Sequence, residues 1–518
     1  MTDRVAASIA EILAHARAGA HERAWALFAE AGLAARRDSV AALTLHGRLL
    51  KDRGRNAQGE ARRREYLAAA AAYAEAAALS GSTYPRINAA TLSLLAGQED
   101  QARRLAGETL ALLDPPGDQP ETPYFLAATR AEALLLLGRE ADARAALAEA
   151  IAAAPNAWED HATTLRQFGL ILAELGAPSE WLDRFRPPRS AHFAGGMRMP
   201  EPEDALRAAI MAWIAEERIG FGYGALAAGA DILIGEALVA AGAELHVVLP
   251  APCAAFVAAS VRPFGAGWQV RFDALIAAAA SVREIETRTD AADPAALGLA
   301  DDVAMGRAAI NARALESEAL QLVVDRADSG MASNSERVWR RWQAAGRRQH
   351  RIVPAAVESD DAAEYHGSDH AIAAMLAIRI AAPTDRALQA LAAILAERPP
   401  IAPPAWIDTT LLLRYPDASQ AARAAIAIAP CLAAARPWRM AAHLGIAQPC
   451  DDPVTGATVY FGDAAAVALR ILSAAPDETA LASDLFAASL AVEAPGGAEP
   501  VGELDGGREP MPLFSLRL

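Results

Sequence analysis

Lysine is all but missing from this chain: Lys51 is the only one among 518 residues. A Walker A loop sets a lysine on the phosphates, a protein kinase needs one on a strand, and Schiff-base enzymes use one as nucleophile. Lys51 stands in "GRLLKDRGRN", with no glycine loop before it and no strand pattern around it, so none of the three classes is expected. Cysteine is nearly as scarce. Cys253, Cys431 and Cys450 lie far apart without C-x-x-C spacing, which rules out a disulfide framework and a zinc site. Long apolar runs are also lacking: hydrophobic residues reach 53%, but alanine supplies most of them and no stretch is apolar enough to span a bilayer. The opening "MTDRVAASIAEILAHARAGA" has no signal-peptide pattern, and the expectation is a soluble cytoplasmic protein.

An excess of positive charge is the last absence. The net charge is −16, whereas a nucleic-acid or membrane surface calls for clustered cations. The nearest approach to such a cluster, "RVWRRWQAAGRRQHR" at 337–351, interleaves its arginines with tryptophans at helical spacing. It reads as an amphipathic helix with Trp339 and Trp342 inward and arginines outward. Neither nucleic acid nor membrane is an expected partner, and no metal site is indicated.

What is present divides into three parts, expected as domains over 1–183, 188–356 and 368–518. The first is helical throughout, with recurring helix pairs such as "HERAWALFAEAGLAA" and "REYLAAAAAYAEAAALSG". The order of large residue, small alanines and glycine turn resembles tetratricopeptide (TPR) repeats, implying an all-α solenoid in which each pair buries its face on the next. "YPRINAATLSLLAGQEDQARRLA" further resembles the "YPGIN" segment of the TRAF-binding helical region, with Tyr84, Pro85, Ile87, Asn88 and Ala89 matching and Arg86 in place of glycine. Such a solenoid implies a docked peptide or protein partner. A purely structural helical domain is the alternative.

Beyond the proline break "RFRPPRSAHF", short apolar runs alternate with helices. Strands are expected near 190–197, 219–225, 244–250, 283–287, 320–325 and 349–353, a central α/β Rossmannoid domain with a parallel sheet covered on both faces. Ligands bind such sheets beyond the carboxyl ends of the strands. Three loops fall there: "FAGGMRMP", "GYGALAAGAD" and "VVDRADSGMASNSE". Glycines allow a backbone to approach a phosphate or sugar closely, and the following helix start offers unpaired N–H groups. The alternative is a tight strand-to-helix turn with no ligand.

The run "GALAAGADILIGEALVAAGAELHVVLP" resembles a segment of bacterial proteins that join a TRAF-binding-like region, a SLOG-like Rossmannoid domain and often a nucleotide cyclase domain. That resemblance implies a nucleotide or ADP-ribose-like ligand, with no further cofactor. The candidate contacts are Gly195, Gly196, Gly224, Ala225, Gly229, Asp231, Asp325, Ser329 and Gly330. Ala225 replaces the family's commoner serine. The Pro-Gly-Gly signature of hydrolytic members is absent, which argues against hydrolysis. Glu236, five residues past Asp231, points to a different side of its helix and makes no dyad with it.

From about His370 the segments resemble the class III adenylate/guanylate cyclase catalytic domain, an α+β ferredoxin-like fold, most closely at "HLGIA" and "YFGDAAAVALRILSAA". Cyclase chemistry needs two carboxylates for two metal ions and groups that steady the developing charge. The first metal aspartate of the family aligns with Arg379. The second is kept as Asp408, but between Ile407 and Thr409 instead of glycines. Of the transition-state pair, Ala466 replaces the asparagine and Arg470 remains. The segment holds no lysine to recognise the base. Cyclase activity is therefore expected to be absent, with Asp408 and Arg470 left to structural roles such as a salt bridge. The family's placement of active sites at a dimer interface implies a homodimer through this domain, or a heterodimer with an active cyclase.

The leading expectation is a non-catalytic signalling protein that senses a nucleotide-derived ligand in the central domain. The pseudo-cyclase then serves dimerisation or allostery, and the helices dock a partner. The alternatives are an N-glycosidic or ribosyl hydrolase using Asp231, Asp325 or Glu236, and a ligand-free scaffold.

Overall fold

The computed structural model describes residues 2–17, 21–114, 121–199, 202–285, 293–325, 333–354, 369–454, 456–505 and 510–518. The chain divides into two compact units, Met1–Pro187 and Pro188–Leu518.

The described part of the first unit holds nine α-helices: α1 (Thr2–Arg17), α2 (His21–Glu30), α3 (Val40–Asn56), α4 (Gly59–Ser80), α5 (Thr83–Leu95), α6 (Glu99–Leu112), α7 (Pro123–Leu136), α8 (Glu140–Ala153) and α9 (Trp158–Leu175). Local chemistry sets their ends. The Ser39 and Thr122 side chains accept from the amides of Ala42 and Phe125, capping α3 and α7, while left-handed Gly81 and Gly176 stop α4 and α9. Sequence neighbours pack as hairpins, α3 on α4, α4 on α5, α5 on α6 and α7 on α8, and α5, α7 and α9 touch one another. The α3–α4 contact is the closest of these in kind. Gly47 and Gly54 lie two turns apart on α3, and a Cβ on either would stand 2.7 Å from the ring of Tyr73 or Tyr66.

The second unit contains two sheets. The six strands expected from the sequence form the first: β1 (Arg189–Gly195), β2 (Ile219–Gly224), β3 (Glu244–Leu249), β4 (Ser281–Glu284), β5 (Ala319–Val324) and β6 (Gln349–Ile352). Every pairing is parallel, in the order β4-β3-β2-β1-β5-β6. The strand order therefore reverses between β1 and β5, which is where open sheets of this kind leave a crevice. The connecting helices are α10 (Asp204–Glu216), α11 (Ala230–Ala240), α12 (Cys253–Ser260), α13 (Ala266–Ala278), α14 (Pro294–Ala314) and α15 (Asn334–Ala344). Trp342 is fully buried and Trp339 half-buried on α15, as its amphipathic pattern predicts.

The second, mixed sheet runs β13-β14-β12-β10-β7-β9-β8, with β11 on the far end of β10. Its elements are β7 (Ala371–Ile380), α16 (Asp385–Glu397), β8 (Ala405–Ile407), β9 (Thr410–Tyr415), α17 (Ala418–Ile428), β10 (Trp438–Asp451), β11 (Thr458–Phe461), α18 (Ala464–Ala474), β12 (Ala480–Ser483), α19 (Asp484–Glu493), β13 (Ala498–Leu504) and β14 (Met511–Leu516). Helix α18 lays Ile471 and Leu472 on Met375, Ala377, Ala441 and Leu481. Helices α16, α17 and α19 pack on one another as a separate layer.

The two sheets are not independent bodies. Helix α14 touches β1, β2, β3 and β5 of the parallel sheet and also α19, β7 and β10. A Cβ on Gly306 of α14 would lie 1.7 Å from the Ala488 carbonyl oxygen of α19, so only glycine fits. Val492 of α19 belongs to the same apolar cluster as Met305, Val338 and Trp342. Arg347 donates to the carbonyls of Ala491 (3.0 Å) and Val492 (3.2 Å), satisfying the carboxyl end of α19 from the other half. Residues 188–356 and 368–518 therefore share contacts through α14 and α19, and one apolar cluster reaches across between them.

Candidate functional site

The loops after β1 and β2 meet at the point where the strand order reverses. Gly196 donates to Val324 O at the end of β5 (3.0 Å), and its own carbonyl accepts from Ala230 N at the start of α11 (3.0 Å). Gly195, Gly196, Gly229, Asp231 and Asp325 are thereby brought to one edge. Ser329 and Gly330 lie outside the described residues.

The spaces beside these glycines are filled by the protein itself. A Cβ at Gly195 would meet the Ala230 methyl and Val324 O, both at 2.4 Å, and one at Gly224 would meet Phe193 O at 2.6 Å. Gly229 has φ 87°, and a Cβ there would lie 2.6 Å from Met197 O. Both its conformation and its surroundings demand glycine. The turn's amides are also committed: Ala227 N donates to Asp231 Oδ2 (3.2 Å), Ala228 N to Ser260 O (2.9 Å) and Ala230 N to Gly196 O. Gly224 and Gly229 are buried, as Leu226 and Ala228 are, while Ala225 packs half-buried on the core. Close packing of this turn accounts for the glycines without a ligand. The more open part is Gly196, whose added Cβ would meet the Asp325 carboxylate oxygen at 3.3 Å.

Asp231 is the electrostatic anomaly of the edge. It is buried, one carboxylate oxygen holds the Ala227 amide, and the other has no hydrogen-bond partner. Burial, joined by the nearby Asp301 charge, pushes its pKa well above the carboxylate range, favouring the neutral acid. Asp301 is itself raised by burial, with Arg337 and Asn334 opposing the shift. Glu236 behaves oppositely. Burial would raise it, but Arg271 (2.7 Å) and Arg207 (2.8 Å) outweigh burial and hold it low. Bound to two arginines, it is no proton donor for a hydrolase.

A second polar feature escapes sequence reading. Register places Ser281, His246, Tyr223, His192, Gln321 and Gln349 side by side, one from each strand, in a single row across the parallel sheet. His246 Nδ1 lies 2.9 Å from Ser281 Oγ, and its ring stacks on Tyr223 at 4.6 Å. Gln321 Nε2 is 3.1 Å from His192 Nδ1, and His192 stacks on Trp342. Burial, followed by Arg307 for His246 and Arg337 for His192, takes their pKa values down to about 4 and about 3. The signal available in the sequence was a polar or aromatic residue inside each of the runs of β1, β2, β3 and β5; Ser281 and Gln349, the first residues of β4 and β6, gave none.

In the mixed sheet, Arg379 and Asp408 come to the same end. Arg379 pairs with Thr410 in register, the Thr410 hydroxyl lies 3.4 Å from its Nε, and Ile380 N donates to Thr409 O. Asp408 occupies the exposed β8–β9 turn with φ 51°. Ala466 and Arg470 are exposed on α18. Among the described residues Arg470 forms no ion pair, so the salt bridge to Asp408 is not made. A guanidinium beside a single carboxylate cannot hold two divalent ions, and among the described residues no cluster of three or more metal-ligating side chains occurs. Nor is any described helix long and apolar enough to cross a membrane.

No family model matches the sequence, and no curated protein does. Similar solved structures are class III-type cyclase domains. The adenylyl cyclase CyaB from P. aeruginosa is 12% identical with TM-score 0.25, over 29% of this chain and 95% of that one. An adenylate cyclase from Trypanosoma brucei, in its monomeric state, is 13% identical with TM-score 0.25, over 28% and 89%. The dimeric guanylyl cyclase domain of RhoGC from Blastocladiella emersonii is 14% identical with TM-score 0.23, over 28% and 96%.

Proposed function

We propose that this chain is a non-catalytic regulatory protein. In this reading its SLOG-like half senses a nucleotide-derived ligand at the β1/β5 strand ends, and its cyclase-like half serves as an allosteric or dimerising module. The helical unit, TPR-like in its hairpins, docks a protein partner.

Helix α14 is the observation that carries the reading. Its adjacent aspartates both meet the arginines of α15, Asp301 through Arg337 and Asp302 through Arg337 and Arg341; Asp301 is also felt by Asp231, while Asp302 accepts from Ser489 of α19 (3.3 Å). One turn further on, Arg307 reaches Asp484 at the start of α19 (3.8 Å). An event at the strand ends that shifts α14 must be felt by α19, because a close-packed contact such as Gly306 on Ala488 transmits displacement instead of absorbing it. The cation at Arg379 supports the absence of cyclase chemistry.

The test is thermal unfolding of the full chain with ATP, GTP, cyclic nucleotides, NAD and ADP-ribose. A ligand at about a hundred times its Kd stabilises the folded state by about 2.7 kcal/mol. The expected result is a rise in Tm with one of them, lost in Asp325→Ala. Failure of every nucleotide would favour the ligand-free scaffold, the reading that the filled glycine turns support.

A further inference from the structure

Two stretches of this acidic chain concentrate cations, and the fold treats them differently. In 337–351 the guanidinia are engaged internally: Arg337 pairs with Asp301, Arg340 and Arg351 with Glu336, Arg341 with Glu493 and Arg348 with Glu217 and Glu318, while Arg347 donates to the carbonyls of Ala491 and Val492. Residues 48–64 are the contrast. Lys51 and six arginines stand there against only Asp52 and Glu60, a local surplus of five in a chain of net charge −16. Among the described residues only Arg53 is closely paired, with Glu65 just beyond the stretch (2.7 Å).

These residues form the end of the α3–α4 hairpin. Arg48, Lys51 and Arg55 recur at helical spacing along one side of α3, and Arg62, Arg63 and Arg64 follow in the first turns of α4, whose amino terminus adds its own partial positive charge. Arg48 and Arg55 share Asp52 at 3.9 and 3.6 Å, too long for strong pairing. Arg62 lies over the Tyr66 ring. Arg63 and Arg64 are exposed and have no carboxylate partner among the described residues. Burial is the main cause that lowers Lys51 to about 8 and lowers His46, with Arg55 adding to the first shift and Arg53 and Arg37 to the second.

We infer that the α3–α4 end is a docking surface for an acidic, Asp/Glu-rich segment of a protein partner. The inference rests on the reading that the helical unit docks a partner and gives that partner its chemistry. Charge complementarity favours a short acidic segment over nucleic acid. Duplex DNA carries a charge every ~1.7 Å and would run past two helix ends, each ~10 Å across, onto an otherwise acidic protein.

The experiment is fluorescence anisotropy on the full chain with a labelled Glu-rich peptide, its Gln-rich counterpart and oligothymidylate, at about 50 and about 300 mM salt. The Glu-rich peptide is expected to bind at low salt and to weaken at least about tenfold at high salt. Reversal of Arg62, Arg63 and Arg64 to Glu should abolish binding, and Arg103→Glu, exposed on α6, should not. Circular dichroism of the reversed variant confirms that its helices persist. Binding that survives the reversal, or equal binding of the Gln-rich peptide, overturns the surface but leaves partner docking intact. A preference for oligothymidylate replaces the occupant. No binding by either peptide likewise overturns the surface and leaves docking elsewhere on the helical unit standing.

Discussion

Acidification offers a way to weigh the buried polar row, with His192 as its most perturbed member. In the folded chain this ring is fully buried, its Nδ1 faces the Gln321 amide, its Nε2 has no partner, and Arg337 adds a repulsive charge. Its pKa stands at about 3 in the folded state, against about 6.5 in an unfolded chain. Between these values the unfolded chain takes up a proton that the folded one refuses, so stability falls as pH falls through about 6.5 and goes on falling toward about 3. Each pH unit in that window costs about 1.4 kcal/mol, or about 3 kcal/mol between pH 6.5 and pH 4, a large part of the ~5–15 kcal/mol that a domain possesses. Asp231, Asp301 and Asp302 act in the opposite sense. Their raised pKa values favour the neutral acid in the fold, so acid relieves a cost they impose near neutrality. The total pH dependence therefore mixes signs, and a difference measurement isolates the histidine. Urea unfolding followed by tryptophan emission, with Trp342 against the ring, is to be repeated between about pH 6 and pH 4.5 for the wild type and His192→Gln. The variant's stability should decline less steeply by about 1.4 kcal/mol per pH unit, whatever its constant offset. Equal slopes, or a His192 NMR resonance titrating near pH 6.5, would refute the reasoning.

Two further outcomes follow from glycines in unlike settings. Gly306→Val drives a side chain into the backbone of α19, where no rotamer change can make room; the expected loss is about 3 kcal/mol or more, seen as a lower Tm of the second unit. Gly107→Ala in α6 and Gly169→Ala in α9 meet nothing within 4 Å, and each should stabilise its helix by about 0.5–1 kcal/mol in denaturant unfolding.

Much of the secondary structure was legible because its signals are local. The apolar runs around Phe193, Val247 and Leu322 are bounded by turn residues, and all six parallel strands lie within a few residues of expectation. β4 departs furthest, beginning at Ser281 instead of 283, because it is an edge strand that alternates partly buried and exposed positions and so carries the weakest apolar run. The tryptophans of α15 were equally readable from spacing. At the ligand edge, Gly195, Gly224 and Gly229 follow strands as phosphate-binding glycines do, and in the fold they also lie close against Val324, Phe193 and Met197. A glycine's neighbour across the fold decides which role it has, and spacing carries no information about that neighbour. The polar row and the Gly306–Ala488 contact were invisible for the same reason, since each joins positions far apart in the chain.

The α14–α19 contact also bears on how this protein can be divided. Severed between its two sheets, the second unit would yield one piece carrying a bare strip along Gly306 and Arg307, and another carrying α19, whose Val492 would have lost its place beside Met305 and Trp342. Each piece would expose apolar surface that the other now covers, so a cut along this seam would cost more than one through any loop that joins the strands of either sheet.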